Sequence, residues 1–246
     1  WRDPLNDYKL IVKNRHFRLT IGATLIFGLS MGIYFTLYIY LATYFWEFTT
    51  DQLSGTIVST LVATVAAFML LSKLGKRFDK PHLLAAICVL AVINNIWFLG
   101  GRLMGVLPEN GDPLIYPLFL VSSAIGVFTL IAINVLSTSL LADIVDDQEL
   151  ATGTRQEGVV FAARTFAQKA TTGLGGLIAG VMLDLSGITS DAIPGSVDEN
   201  TLQALGGLAC FSVVILPFIA FFMYNRLRYS RADHAKVRAQ LDVMSA

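Results

Sequence analysis

LIYPLFLVSSAIGVFTLIAINVLSTSLL, residues 114–141, contains no charged residue. At ~1.5 Å rise per residue, a helix of this length outspans the ~30 Å hydrocarbon core of a bilayer. Outward from it, further apolar stretches lie at 19–46, 56–74, 83–99, 159–185 and 202–224. Six spans follow, with the first long enough to need tilt or a bend near Gly28 and Gly32. The composition agrees. Of 246 residues, 54% are hydrophobic and 15% charged, against about 25% charged in soluble domains, and mean hydropathy is +0.63. The expected fold is an all-α membrane protein. It divides into a polar segment at 1–18, a six-helix bundle at 19–226 and a polar tail at 227–246.

Net charge is zero, so no excess of one sign points to nucleic acid, but the charge is unevenly placed. Arg2, Lys9, Lys13, Arg15 and Arg18 precede the first span, Lys73, Lys76, Arg77 and Lys80 follow the second, Arg155 follows the fourth, and Arg226, Arg228, Arg231, Lys236 and Arg238 follow the sixth. All lie on one side, while the opposite loops hold Arg102 alone among the basic residues, with Glu47, Asp51, Glu109, Asp112, Asp191, Asp198 and Glu199. The positive-inside rule makes the basic side cytoplasmic and places both chain ends there. Tyr44 and Trp46 fit an outer aromatic belt. The tail at 232–241 reads as a short amphipathic helix on the inner leaflet or as plain disorder.

The fifth span carries cations where a bilayer disfavours them. With Gly158 as its inner end, Arg164 lies ~9 Å deep and Lys169 ~16 Å deep. Each costs about 2.5–3.5 kcal/mol at a helix centre and belongs against a bundle interior or a water-filled cavity. Snorkelling serves Arg164, but Lys169 has too far to reach. Thr165 with Lys169, and Arg164 with Gln168, stand four residues apart, so a polar wall runs along this helix. No carboxylate sits at the depth of Lys169. An anionic ligand, a second copy or an additional segment must neutralise it, and the start at Trp1 favours the additional segment.

At the inner end of span four, Asp143, Asp146, Asp147 and Glu149 meet the negative end of the helix macrodipole. Arg155, Arg164 and the basic group 73–80 are candidates to compensate them, and a charge cluster that forms and breaks suits a cytoplasmic gate; the plain alternative is a solvated acidic loop. Close packing is written in Gly28, Gly32, Gly173, Gly175, Gly176 and Gly180. Tyr34 and Tyr38 share one face of span one, suited to stacking on a sugar ring or to ordinary packing. Cys88 and Cys210 lie within apolar stretches, and His16, His82 and His234 lack metal-ligand spacing, so no cofactor or metal is expected.

ADIVDDQELATGTRQEGVVFAARTFAQKATTGLGGLIAG, residues 142–180, resembles the segment joining the tenth and eleventh helices of glycoside-pentoside-hexuronide cation symporters. LATYFW at 41–46, GKRFDKP at 75–81 and NRHF at 14–17 are similar to the same family. The resemblance implies a twelve-helix major-facilitator fold of which this chain is the C-terminal half, in a bacterial inner membrane. Its partner would be an N-terminal six-helix half. Sugar and a coupling cation, Na+ or H+, would bind between the halves, with Lys169 beside both and Arg164 and Thr165 lining the sugar pocket. The family's familiar member has a neutral amide at the position of Arg164 and an aromatic at that of Asn134, a further cavity position on span four.

Two rival functions remain open at this point. A six-helix membrane enzyme would use Asp143, Asp146 and Asp147 to hold Mg2+ against a pyrophosphate, although no second acidic cluster faces them and no GxSxG or HExxH motif is present. A self-dimerising half-transporter would set two copies of Lys169 face to face, with an anion between them.

Overall fold

The computed structural model describes residues 11–154, 156–188 and 192–245. Six long helices form the bundle, and among the described residues there is no strand. Helix α1, Arg15–Tyr40, is capped by the Asn14 side chain, which accepts from the His16 and Phe17 amides, and runs on into a π-helical turn, Leu41–Phe45. Helix α2, Thr50–Leu74, opens with a capping box in which Gln52 and Thr49 bond each other reciprocally. Helix α3, Lys80–Asn95, carries Pro81 in its first turn and continues through a second π turn, Ile96–Gly100, to Leu103. Helices α4, Ile115–Thr152, and α5, Glu157–Ser186, both end on glycines in the left-handed region, Gly153 at φ 68° and Gly187 at φ 83°. Helix α6 is Glu199–Asn225 and the tail forms α7, Arg231–Ser245.

Helix α1 packs on α5 and α6, α6 on α3, and α4 on both α2 and α3, while α7 lies against α4. Two apolar clusters fill the interior. One, around Phe27, Leu84, Leu140, Ile144 and Tyr224, lies toward the basic end of the bundle, and the other joins Leu37, Phe45, Trp46, Phe98 and Phe119 toward the opposite end. Trp46 is 4% exposed and stacks on Phe98 with ring centroids 4.4 Å apart, so it belongs to the core and not to an aromatic belt. Backbones meet where small residues predict it: a Cβ on Gly175 would stand 2.7 Å from the carbonyl carbon of Gly32. Gly173 and Gly180 have open space beside them instead.

Five of the six long helices are long and apolar enough to cross a membrane. Helix α5, with 30 residues, has the length but not the apolarity, because Arg164, Thr165, Gln168, Lys169, Thr171 and Thr172 dilute its inner half. A helix of this kind is stable at membrane depth when its polar side faces protein or water. Helix α4 departs more from its expected bounds. Its 38 residues extend ~57 Å, so the helix continues well beyond the apolar run, and Asp143, Asp146 and Asp147 stand on it rather than in a loop.

Candidate functional site

Helix α5 turns one stripe, Val160, Thr171, Gly175 and Ala179, into the bundle and leaves much of its remaining surface open. Thr165, Gln168, Lys169 and Thr172 are exposed on that open surface, beside the apolar Phe166, Leu174 and Leu177. Among the described residues no carboxylate lies within ion-pair distance of Lys169. The Thr165 hydroxyl donates to the Phe161 carbonyl one turn back, at 2.9 Å.

Arg164 points the other way, toward α4. Its Nη2 donates to Asn134 Oδ1 at 3.3 Å and approaches the Asn134 carbonyl at 3.5 Å, while its Nε is buried without a hydrogen-bond partner. A buried donor left unpaired costs about 1–3 kcal/mol. Gln168, Thr171 and Gly28 line the small cavity beside it, about 100 Å3 in volume, together with Asn134. The structure thus brings Arg164, Gln168 and Asn134 to one cavity. Lys169 and Thr165 do not line it; they stand on the neighbouring open face, so the single polar wall expected of α5 is two adjacent faces.

A second polar cluster closes the basic end. Asp143 and Asp146 are 8% and 7% exposed, which rules out a solvated acidic loop. Lys80 Nζ lies 2.5 Å from Asp143 Oδ2 and also donates to the Ser139 carbonyl. His234 Nε2 stands 3.5 Å from Asp143 Oδ1 and 3.2 Å from Asp146 Oδ2, and Arg238 Nη1 stands 3.5 Å from the same Asp146 oxygen. The Tyr229 hydroxyl donates to the Asp143 carbonyl. Burial, then the carboxylates of Asp147, Asp143, Asp146 and Asp233, holds the Tyr229 phenol above its usual range. Arg231 bonds Asp79 through its amide and Lys76 through its guanidinium, so α7 is fastened to both α3 and α4.

Of the expected compensating bases, Lys80 does compensate Asp143. Arg164 does not, since it is committed to Asn134, and Arg155 lies outside the described residues. His234, Arg238 and Tyr229 were not expected here. The available signal was the spacing of His234 and Arg238, four residues apart on one face of an amphipathic tail. Because Asp143 and Asp146 are taken up by these bases, they are poorly placed to chelate Mg2+, and among the described residues no group of three or more His, Cys, Asp or Glu could hold a metal ion.

Comparison with known proteins bears on the same question. The chain is 28% identical over 250 residues to an uncharacterized symporter of Synechocystis sp., covering 96% of this chain and 42% of that protein. It is 31% identical over 121 residues to a protein named putative sulfoquinovose importer in Salmonella typhimurium, covering 46% of this chain and 24% of the relative. A protein of the same name in Escherichia coli is 30% identical over 118 residues, covering 46% and 25%. The chain therefore spans less than half the length of these curated relatives. The names are those of transport proteins, so the enzyme reading finds no support among them. A family model described as MFS/sugar transport protein matches residues 4–231, nearly the whole chain, which is a multi-pass membrane protein of that family.

Proposed function

We propose that this chain is the C-terminal six-helix half of a secondary transporter that moves a sugar together with a cation, Na+ or H+, by alternating access. The observation that carries this reading is Lys169, an exposed cation on the polar surface of α5 with no carboxylate partner among the described residues. A charge at that depth is tolerable when it faces a hydrated pathway and opposite charge from elsewhere. An N-terminal six-helix half supplies both, and the relatives, more than twice as long as the matched region, have room for one. Substrate and coupling cation then meet between the halves.

The cations also speak to the substrate. Arg164 offers a guanidinium with a vacant buried N–H, and Arg recognises planar or tetrahedral oxyanions through its fork of donors. A sugar bearing an anionic group suits this site, and sulfoquinovose, a sugar sulfonate named for two relatives, is one such solute. The basic end is cytoplasmic by the positive-inside rule. There the links from Lys80, His234 and Arg238 to Asp143 and Asp146 form a gate that must part when the inner side opens.

The test is uptake by cells expressing this chain with an N-terminal half, offered a panel of labelled sugars that includes sulfoquinovose. Uptake that needs both halves and rises with an imposed Na+ or H+ gradient is expected. Full uptake by this chain alone overturns the half-transporter reading in favour of a self-assembling carrier, and no uptake of any sugar by the complete protein overturns the substrate class.

A further inference from the structure

A larger cavity, about 290 Å3, lies between α1, α2, α3 and α4 on the side of the bundle away from the charged gate. None of its lining residues is charged. It nevertheless holds polar groups: Tyr34 and Tyr38, ring centroids 6.0 Å apart, from α1, Thr60 from α2, Asn95 from α3 and Ser123 from α4. Asn95 donates its amide to the Ala91 carbonyl, and among the described residues its Oδ1 has no hydrogen-bond partner; nor does the Tyr34 hydroxyl. Both π-helical turns of the bundle end on this chamber, contributing Leu41 and Ala42 from one and Phe98 and Leu99 from the other. Such turns are rare and recur at functional sites.

We propose that this chamber is a second binding site, for an uncharged, hydroxyl-bearing ring such as a neutral sugar or the neutral part of a glycoside, separate from the cationic site at Arg164. The volume sits near the lower bound of small-molecule pockets, roughly 300 Å3, and is many times the ~30 Å3 share of one water, so it accommodates a ring and is too large for a bare ion. Aromatic faces with hydroxyl and amide groups at their margins match a ring with an apolar face and polar edges. An uncharged, largely apolar lining disfavours a charged solute, whose desolvation nothing there repays. The chamber meets the Arg164 cavity at Met31, Phe35 and Leu130, which line both. Along α4, Ser123 in the chamber is eleven residues, ~16 Å, from Asn134, while the shared Leu130 is four residues, ~6 Å, from it, so the two are adjoining compartments. The two sites are filled by separate molecules, by one molecule in succession, or by the two ends of a longer glycoside.

This inference rests on the sugar-carrier reading, and its test separates the two. Methyl α-D-glucoside is added to the purified full-length carrier and its contact followed by saturation-transfer NMR. A Cβ on Gly126, which lines the chamber, meets nothing within 4 Å, so Gly126→Leu fills the space without a backbone clash. A drop of at least fivefold in the glucoside signal is expected for Gly126→Leu and for Asn95→Ala, with thermal stability kept, and Arg164→Ala is expected to retain the signal. A signal that survives both chamber variants, or that vanishes with Arg164→Ala, overturns the second site. So does a wild-type carrier that accumulates a sugar from the uptake panel yet shows no glucoside contact, a result that leaves the transport reading standing. A complete carrier that neither binds the glucoside nor accumulates any sugar overturns both.

Discussion

Arg164 on α5 reaches Asn134 on α4, with Nη2 3.3 Å from the amide oxygen. Asn134 is neutral, so it fixes the direction of the guanidinium without cancelling its charge, and the amide of Asn134 is itself held by the Leu130 carbonyl at 2.9 Å. The pair keeps a cation aimed at the cavity.

Arg164→Gln keeps a polar side chain but removes the charge and the fork. It is expected to raise the KM for an anionic sugar by about tenfold or more, the ~1.4 kcal/mol or greater worth of a charge-assisted hydrogen bond. Arg164→Lys keeps the charge without the fork and should fall between. Initial-rate uptake over a range of sugar concentrations checks both, and an unchanged KM in Arg164→Gln speaks against a role in substrate binding.

Gly175 and Gly32 let α5 and α1 touch backbone to backbone, with no flexible side chain to give way. Gly175→Leu is expected to destabilise the bundle by about 1–3 kcal/mol or to prevent its assembly, the cost of overpacking. Gly207→Ala, where an added Cβ meets nothing within 4 Å, should be neutral. Thermal unfolding of purified protein in detergent compares the two.

The Lys80 and Asp143 side chains are 24% and 11% exposed, so their ion pair is partly shielded from water. A double-mutant cycle with Lys80→Ala and Asp143→Ala should give a coupling energy of about 1–3 kcal/mol, above the 0–1 usual for surface pairs. His234 shares Asp143, so Asp143→Ala should also loosen α7, seen as faster amide exchange there. Zero coupling would remove the electrostatic basis of the proposed gate.

Helix α7 begins with a reciprocal cap in which Ser230 donates to Asp233 through its hydroxyl and amide, and the Asp233 amide donates back to the Ser230 hydroxyl. The hydroxyl first, then the amide, holds the Asp233 carboxyl below its usual range. A lowered folded pKa means that the stabilisation is present above the ordinary aspartate value, ~3.9, and is lost as pH falls through the lower folded value. At neutral pH, Asp233→Ala should therefore fray the first turn of α7, while the wild type frays only in acid. Amide exchange of α7 at neutral pH, and its helicity followed by NMR into acid, report this.

The six-helix bundle was legible in the sequence because it rests on apolar runs; the glycines marked close packing in general, but which of them meet, Gly32 of α1 with Gly175 of α5, comes from the fold alone. Helix α4 is longer than its apolar run, which stops at Leu141, because the backbone, free to stay helical in water, goes on to Thr152. The charged cluster at the basic end was half legible. Lys80 stood among the candidate bases, but His234 and Arg238 reach Asp143 and Asp146 from about ninety residues away, a pairing no local pattern encodes. Of the chamber by Asn95 only Tyr34 and Tyr38 stood out in the sequence: four helices each contribute two or three ordinary polar residues, and no local pattern encodes their convergence.

Coupling is expected to run through Lys169. Reconstituted into proteoliposomes as the complete carrier, the wild type should concentrate sugar above the external level when an inward Na+ or H+ gradient is imposed. Lys169→Ala should let sugar equilibrate without concentrating it. Undiminished accumulation by Lys169→Ala under the same gradient would show that this lysine has no part in coupling.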